Sequence, residues 1–328
     1  MFHHRSASLL LPTAVACLTA VAPACTVETS SSDPTQASQT SAAMDLPTDN
    51  YLAIGDSVPF GFDPTQFSRD PSAPLPPATA FVGYPDVVAA DVKPIRDANI
   101  ACPGETSTSF TLSLDEVIAR LTAAAQDPAH PAPAVDRGCY QAKSKGLLHV
   151  PYTVSQADRA VAFLKSHPQT KLVTITLGGN DVGAVQDFCN ATSPDAATAQ
   201  SCAFARLPAA LGALQANLTT ILGRVRGEAG YKGKLLAVTY YSLDYRVPPQ
   251  YDGLYAVDGV LASVAAQFGG GVVSGYDAFK AAVGADGSPC NAGLLIPIGQ
   301  LPTGALVCDV HPTLKGRQLL ASAVEAAL

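Results

Sequence analysis

The sequence predicts an α/β domain in which a parallel sheet of five strands lies between two layers of helices, a three-layer α/β/α sandwich. Three observations favour this fold. Short apolar runs that contain β-branched residues recur along the chain, helical patterns separate them, and residues 48–328 are enough to bury one large core. Because strands that alternate with helices form βαβ units, we expect parallel strands joined by right-handed crossovers.

The predicted strands span residues 50–55, 95–101, 171–177, 234–240 and 271–274. The predicted helices span residues 84–91, 112–125, 154–166, 207–228, 254–268 and 312–328. Ser113 and Glu116 form a capping box at the start of the second helix, and His167-Pro168 ends the third. Five strands in this arrangement indicate a sheet of flavodoxin-like type.

Two long irregular segments, residues 58–79 and 126–152, interrupt the alternation. Segments of this length in a compact domain are usually functional or disordered. The first one directly follows Ser57, so it either walls a substrate pocket or forms a proline-rich surface flap without a role.

The first 25 residues are predicted to be an export signal. Arg5 precedes an apolar stretch over residues 9–22, which ends in small residues. The stretch is shorter than the roughly 20 apolar residues that a membrane span needs, and two prolines flank or interrupt it.

Residues 22–25, with the sequence Ala-Pro-Ala-Cys, resemble a bacterial lipoprotein processing site, although Ala22 stands where the usual pattern has Leu. Lipidation of Cys25, which would anchor the chain to a membrane, and simple cleavage both stay open.

Residues 26–47 are rich in Ser, Thr, Ala and Gln. Because such a segment cannot bury enough apolar surface to fold, we interpret it as a disordered tether to a domain at 48–328.

The charge balance argues against nucleic acid as a partner. The formal net charge is −7, charged residues make up 14% of the chain, and there is no basic run. We expect a monomer located outside the cytoplasm.

Six cysteines follow the predicted signal, and an even number in an exported chain indicates three disulfides. They are Cys102, Cys139, Cys189, Cys202, Cys290 and Cys308. Of the 15 possible connectivities, we favour the one that joins neighbours, because each pair then brackets a loop rich in Pro, Gly or Ala. A metal site is disfavoured, since no two of these cysteines have the two-residue spacing of a zinc knuckle.

Four short polar motifs follow predicted strands or precede the last helix. They are Gly55-Asp56-Ser57, Gly104-Glu105-Thr106, Gly178-Gly179-Asn180-Asp181 and Asp309-Val310-His311-Pro312. Because parallel α/β sheets carry their chemistry outside the carboxyl ends of the strands, we expect the motifs to meet there.

The residue types in these motifs suit nucleophilic catalysis by serine. The Ser57 hydroxyl needs a base within hydrogen-bonding reach, and His311 is the candidate, on a loop that enters the last helix at Pro312. The backbone amides of Ser57 and Gly104 and the side-chain amide of Asn180 can stabilise a developing oxyanion. Asp56 and Asp181 are interpreted as groups that hold their loops, not as catalysts.

Together the four motifs resemble the SGNH hydrolase family, also called GDSL esterases and lipases, over residues 48–328. The resemblance implies the same α/β/α fold, with Ser57 as nucleophile, His311 as general base, and Gly104 and Asn180 as oxyanion-hole donors. It implies esterase or lipase activity through an acyl-enzyme, with a small-molecule or lipid ester as substrate and no metal or organic cofactor. Secreted bacterial members of the family also carry three disulfides.

The sequence departs from the family at the acid that orients the base. The usual pattern has an acid three residues before the histidine, where this chain has Cys308. Asp309 lies two residues before His311, and an extended segment would point both side chains the same way. Either Asp309 or a main-chain carbonyl therefore orients His311.

A second hypothesis comes from a different functional class, a surface-anchored binding lipoprotein that kept the fold and lost the chemistry. The intact set of Ser57, Asn180 and His311 argues against it.

Overall fold

The computed structural model describes residues 49–126 and 139–328, except positions 69, 71 and 95. The predicted export signal, the candidate lipidation site at Cys25 and the tether lie outside the described residues, as do residues 127–138 of the second long irregular segment. Within the described ranges, we find no helix that combines the length and the apolar character needed to cross a membrane.

Five strands form one parallel sheet. They are β1 (Asn50–Gly55), β2 (Arg96–Asn99), β3 (Thr170–Thr176), β4 (Lys234–Val238) and β5 (Gly271–Val273). Their order in the sheet is β2-β1-β3-β4-β5, and all neighbours are parallel. This is the flavodoxin-like order, in which the direction of winding changes between β1 and β3. The predicted fold class is confirmed.

Helices cover both sides of the sheet. They are α1 (Ser57–Phe60), α2 (Tyr84–Val92), α3 (Leu114–Gln126), α4 (Tyr140–Ser144), α5 (Gln156–Ser166), α6 (Gly179–Thr192), α7 (Ala196–Gly223), α8 (Gly253–Gln267), α9 (Gly275–Ala282) and α10 (Leu314–Glu325). Every residue of β1 is buried, as are all residues of β3 except Lys171. Strands covered on both faces show near-continuous apolar runs, which is why the sequence reveals them.

The sequence does not predict α1, α4, α6 or α9, and it places the start of α7 too late. The helix α4 lies in the second segment that the sequence predicts to be irregular. Asp195 caps α7 by accepting a hydrogen bond from the Thr198 amide at 2.8 Å, and Pro208 lies inside the helix. Proline normally occupies the first turn of a helix, so the residues before it do not look helical in sequence.

The sequence also misses an antiparallel hairpin formed by β6 (Leu295–Gln300) and β7 (Leu306–Pro312), separate from the main sheet. Pro297 and Gly299 make β6 resemble a loop, although edge strands tolerate such residues. His311 consequently lies in β7, and the expectation that it sits on a loop entering the last helix is wrong.

The structure contains three disulfides, Cys102–Cys139, Cys189–Cys202 and Cys290–Cys308. These are the neighbouring pairs, but none of them simply brackets a loop. Cys102 and Cys139 enclose the helix α3. Cys189 lies in α6 and Cys202 in α7, so that bond ties two helices. Cys308 lies in β7, so the third bond fastens the hairpin to the loop that carries Cys290.

Candidate active site

Ser57 is presented by a sharp turn between β1 and α1. Gly55 has a φ of +135°, and a Cβ atom at this position would lie 2.0 Å from the carbonyl oxygen of Thr176. Only glycine fits such a backbone approach. The turn makes Ser57 the first residue of α1 at the carboxyl edge of the sheet, where its amide has no intrahelical acceptor.

Asp56 holds this turn. One carboxylate oxygen accepts a hydrogen bond from the Val58 amide at 3.0 Å and caps α1, while the other accepts one from the Tyr240 hydroxyl. Burial raises the pKa of Asp56 to about 6, although these hydrogen bonds oppose the shift. The Tyr240 hydroxyl also accepts a hydrogen bond from the Gly179 amide at 2.9 Å. Tyr240 therefore links the Ser57 turn to the start of α6.

His311 lies between Ser57 and Asp309. Its Nε2 atom is 2.8 Å from the Ser57 hydroxyl oxygen, and its Nδ1 atom is hydrogen-bonded to a carboxylate oxygen of Asp309. The same oxygen accepts a hydrogen bond from the His311 backbone amide at 3.0 Å. Burial raises the pKa of Asp309, but its hydrogen bonds to His311 outweigh this effect, so the pKa lies below the ordinary value of 3.8. Asp309 is thus suited to remain a carboxylate beside the imidazole.

Two aromatic residues position the strand that carries His311. The Tyr241 hydroxyl donates a hydrogen bond to the carbonyl oxygen of Val310 at 2.7 Å. The Phe62 ring lies against the imidazole, with 5.0 Å between ring centroids. Tyr241 follows β4 and belongs to no recognisable motif, so sequence reasoning could not have found it.

Gly104 and Asn180 line the same cavity as Ser57. Gly104 has a φ of +80°, and Asn180 is in the first turn of α6. The Asn180 side-chain amide donates a hydrogen bond to the carbonyl oxygen of Glu105 at 2.9 Å. An NH₂ group has two hydrogens, so a second donor remains for a ligand in the cavity.

A buried network supports the Gly104 loop. The Gln156 side chain accepts a hydrogen bond from the Gly55 amide at 2.6 Å and donates one to the Glu105 carboxylate at 2.9 Å. Glu105 also accepts a hydrogen bond from the Ser109 hydroxyl at 2.5 Å, and its burial raises its pKa. Gln156 therefore joins the turn of the nucleophile to the loop of Gly104, a role that its place at the start of α5 does not reveal.

Asp181 acts as a loop-holding group. Its carboxylate accepts hydrogen bonds from the backbone amide of Ser107 at 2.9 Å and from the Ser107 hydroxyl at 2.5 Å. These two hydrogen bonds join α6 to the loop that follows Gly104. Burial raises the pKa of Asp181, although the bonds to Ser107 oppose the shift.

The four candidate residues Ser57, Gly104, Asn180 and His311 line one cavity of about 690 Å³. Most of the wall is apolar. The apolar side chains are those of Val58, Phe62, Pro103, Val182, Tyr240, Tyr241, Leu243, Val247, Tyr251, Leu254 and Val310. Val58 and Phe62 belong to the first long irregular segment, so the beginning of that segment does wall the cavity.

One group of metal-ligating residue types occurs within the described residues, formed by Cys102, Glu105 and Cys139. The two sulfurs are bonded to each other in a disulfide. Because metal ions bind thiolates, this group does not offer a metal its usual sulfur ligands.

Asp258 is hydrogen-bonded to the backbone of Tyr240, which lines the cavity. Its burial makes the free energy of unfolding depend on pH. One carboxylate oxygen accepts a hydrogen bond from the Tyr240 amide at 2.7 Å, the other has no partner among the described residues, and burial raises the pKa to about 8 from 3.8. The folded chain therefore binds more protons than the unfolded chain between these values, and stability falls as the pH rises through this range.

We expect Asp258→Asn, which mimics the neutral acid, to raise the free energy of unfolding at pH 8 by roughly 1–3 kcal/mol and to leave it nearly unchanged at pH 4. Urea unfolding of both proteins at the two pH values measures this. An equal effect at both pH values would show that Asp258 does not titrate in this range.

The fold and the site geometry together define an α/β protein with a serine, a histidine and a carboxylate in hydrogen-bond contact at the carboxyl edge of the sheet. No family model matches the sequence, and no curated protein matches it.

Solved structures that the chain resembles include three ester-hydrolysing enzymes by name. Phospholipase A1 from Streptomyces albidoflavus NA297 is 19% identical, with a TM-score of 0.47, over 86% of this chain and 100% of that one. An extracellular lipase from Streptomyces rimosus is 19% identical, with a TM-score of 0.46, over 86% and 100%. The acetylxylan esterase Axe2 from Geobacillus stearothermophilus is 15% identical, with a TM-score of 0.46, over 87% and 97%. Likenesses this distant carry no functional argument, so the catalytic assignment depends on the geometry of the chain's own side chains.

Proposed function

We propose that this chain is a serine hydrolase that cleaves carboxylic esters through an acyl-enzyme. The observation that carries the proposal is the continuous hydrogen bonding from the Ser57 hydroxyl through both nitrogens of His311 to Asp309, at the wall of a largely apolar cavity. A nucleophile, a base and a group that orients the base are the parts that such catalysis requires.

In the proposed mechanism, the Ser57 hydroxyl oxygen attacks the ester carbonyl carbon while His311 Nε2 takes the hydroxyl proton. The resulting tetrahedral species collapses, the bond to the alcohol oxygen breaks, and His311 returns the proton to that oxygen. A water molecule then attacks the acyl-enzyme in the same way and releases the acid. Asp309 holds the imidazole with Nδ1 protonated and stabilises the imidazolium that forms in each half of the reaction.

The oxyanion of the tetrahedral species would be met by the backbone amides of Ser57 and Gly104 and by the free hydrogen of the Asn180 amide. Fixed donors of this kind stabilise the transition state because they need no reorganisation when the charge develops. The Glu105 carbonyl fixes the rotation of the Asn180 amide in advance.

We expect Asn180→Ala to lower kcat by roughly 10²- to 10³-fold with little change in KM, because one oxyanion donor is lost. Steady-state kinetics on a soluble ester measure this. Asn190→Ala, an exposed asparagine in the same helix, is the matched control and should behave like the parent protein. If Asn180→Ala instead raised KM and left kcat unchanged, Asn180 would bind the substrate rather than the oxyanion.

The cavity supports an ester with an apolar acyl group as substrate, which fits both an esterase and a lipase. The three disulfides support a location outside the cytoplasm, because disulfides persist in oxidising compartments. Monomeric state and lipid anchoring through Cys25 stay predictions.

The proposal is tested by labelling the purified protein with a fluorophosphonate probe and by assaying nitrophenyl esters of increasing acyl length. We expect labelling at Ser57 and hydrolysis of at least part of the series. A folded protein that neither reacts with the probe nor cleaves any ester would favour the binding-lipoprotein hypothesis instead.

A further inference from the structure

We propose that the tip of the β6–β7 hairpin docks onto the surface of an uncharged or zwitterionic lipid aggregate and so brings the cavity mouth to its substrate. This inference rests on the proposed function, because it assigns that function to aggregated esters rather than to dissolved ones.

The base of the hairpin is buried and its tip is exposed. Leu295 is 3% exposed and Ile296 5%, whereas Ile298 and Leu301 are each 52% exposed and Leu306 is 44% exposed. Scattered exposed leucines are normal, but several adjacent ones mark an interaction surface. Packing against the core of the domain therefore does not explain why these apolar side chains lie at the tip.

The base is firmly attached to the domain. The Cys290–Cys308 disulfide fastens β7, and the Thr313 amide donates a hydrogen bond to the Leu294 carbonyl oxygen at 2.9 Å. At the other end, the Leu301 amide bonds the Ala305 carbonyl oxygen at 2.8 Å and closes the turn. The disulfide and these hydrogen bonds therefore fix the conformation of the hairpin, including its apolar tip.

The hairpin carries no charge along most of its length. Residues 287–308 include no Lys, Arg, Asp, Glu or His. Exposed edge strands are usually protected by charged side chains, so this hairpin lacks the ordinary protection against apolar contact. A surface without cations also offers nothing to attract an anionic membrane.

The apolar surface continues from the hairpin to the cavity. Val310, which is 51% exposed, lines the cavity beside His311. Leu243 and Tyr251 also line the cavity and are 41% and 61% exposed. Exposed apolar side chains from three segments of the chain therefore line the cavity that contains Ser57.

This continuity favours a lipid surface over a second copy of the chain. A second copy seated on the hairpin and on these exposed lining residues would cover the opening through which the substrate reaches Ser57. A lipid aggregate in the same place supplies the substrate. The acidic residues in the cavity wall are Asp56, Asp244 and Asp252, and Asp244 is paired with Arg246 at 2.6 Å. No lysine or arginine is among the described residues that line the cavity, which again favours an uncharged or zwitterionic surface over an anionic one.

The test uses the full chain with Cys25→Ser in every variant, which removes any lipid anchor, and with Ser57→Ala for binding measurements. Flotation with phosphatidylcholine vesicles is compared for this parent and for Ile298→Ser/Leu301→Ser. We expect the double variant to partition roughly tenfold or more weakly, because two large apolar side chains no longer enter the lipid. Phosphatidylglycerol vesicles should bind the parent no more tightly than phosphatidylcholine vesicles do.

The matched control is Ile118→Ser/Val154→Ser, two apolar residues that are 41% and 44% exposed elsewhere on the domain, and it should float like the parent. In the background with Ser57 intact, the tip variant should hydrolyse a dissolved short-chain ester at the parental rate and an emulsified ester more slowly.

A parent that does not float, or a tip variant that floats equally well, would overturn the inference. So would light scattering that showed a dimer of the parent which the tip variant dissociates, since the tip would then be a contact between copies. Flotation of the Ser57→Ala protein does not depend on catalysis, whereas activity on the dissolved ester tests the proposed function, so the two failures are distinguishable.

Discussion

Ser57→Ala is expected to lower kcat for ester hydrolysis by roughly 10⁴-fold or more and to abolish labelling by a fluorophosphonate. The substitution removes the only atom that can form the acyl bond, and loss of the nucleophile in a serine triad costs several orders of magnitude. The fold should persist, because Ser57 contributes a single side-chain hydrogen bond to the site, at 2.8 Å from His311. Turnover of a nitrophenyl ester and circular dichroism at the same protein concentration measure both effects.

Ser72→Ala is the matched control for this experiment. Ser72 is an exposed serine of the loop that follows α1, hydrogen-bonded to Asp70 at 2.7 Å, and its removal should leave turnover and labelling unchanged. If folded Ser57→Ala retained most of the activity, or if the probe labelled it as before, Ser57 would not be the nucleophile and the proposed mechanism would fail.

The parts of the fold that the sequence predicts are those whose local pattern and tertiary role agree. Strands β1 and β3 are buried on both faces, so their apolar runs are unbroken and their ends fall within a residue or two of the prediction. The hairpin β6–β7 is different, because it lies apart from the sheet and tolerates Pro297 and Gly299. The pattern of a buried strand is not required there, and sequence analysis interprets the segment as a loop.

The same distinction applies to the candidate site. Ser57, Gly104, Asn180 and His311 belong to motifs at strand ends and can be selected from sequence. The groups that position them, such as Gln156 and Tyr240, act through hydrogen bonds to backbone or buried carboxylates across 101 and 184 positions of the chain. Nothing in their own neighbourhoods indicates this role, because it arises only from the folded arrangement.

Asp309 is the residue at which the sequence leaves two alternatives and the structure favours one. Because His311 lies in a strand rather than on a loop, residues 309 and 311 point to the same side, and the Asp309 carboxylate bonds both the Nδ1 atom and the backbone amide of His311. The position of the acid two residues before the base, instead of three, is thus compatible with direct contact.

Asp309→Asn is therefore expected to lower kcat by roughly 10³- to 10⁴-fold, the scale of the equivalent change in a serine protease triad. The new amide can donate to Nδ1, which favours the tautomer with the proton on Nε2, so the imidazole no longer accepts the Ser57 proton. The neutral amide at position 309 also no longer stabilises the imidazolium that forms during the reaction. If a main-chain carbonyl oriented His311 instead, that carbonyl would survive and the loss would be about tenfold or less.

The deciding measurement is turnover of Asp309→Asn on one dissolved ester, with circular dichroism to confirm folding and with Asp277→Asn, an acidic residue in the first turn of α9, as the matched control. The loss of turnover in His311→Ala should be severe under both hypotheses, so this variant cannot separate them.

The Asp309 pKa lies below its ordinary value, so Asp309 stabilises the parent fold above its unfolded pKa, and this contribution is lost as the pH falls through the folded value. The comparison therefore belongs near neutral pH, where Asp309 is ionised in the parent. A folded Asp309→Asn protein with near-parental turnover would remove Asp309 from the catalytic set and leave Ser57 and His311 with a main-chain partner.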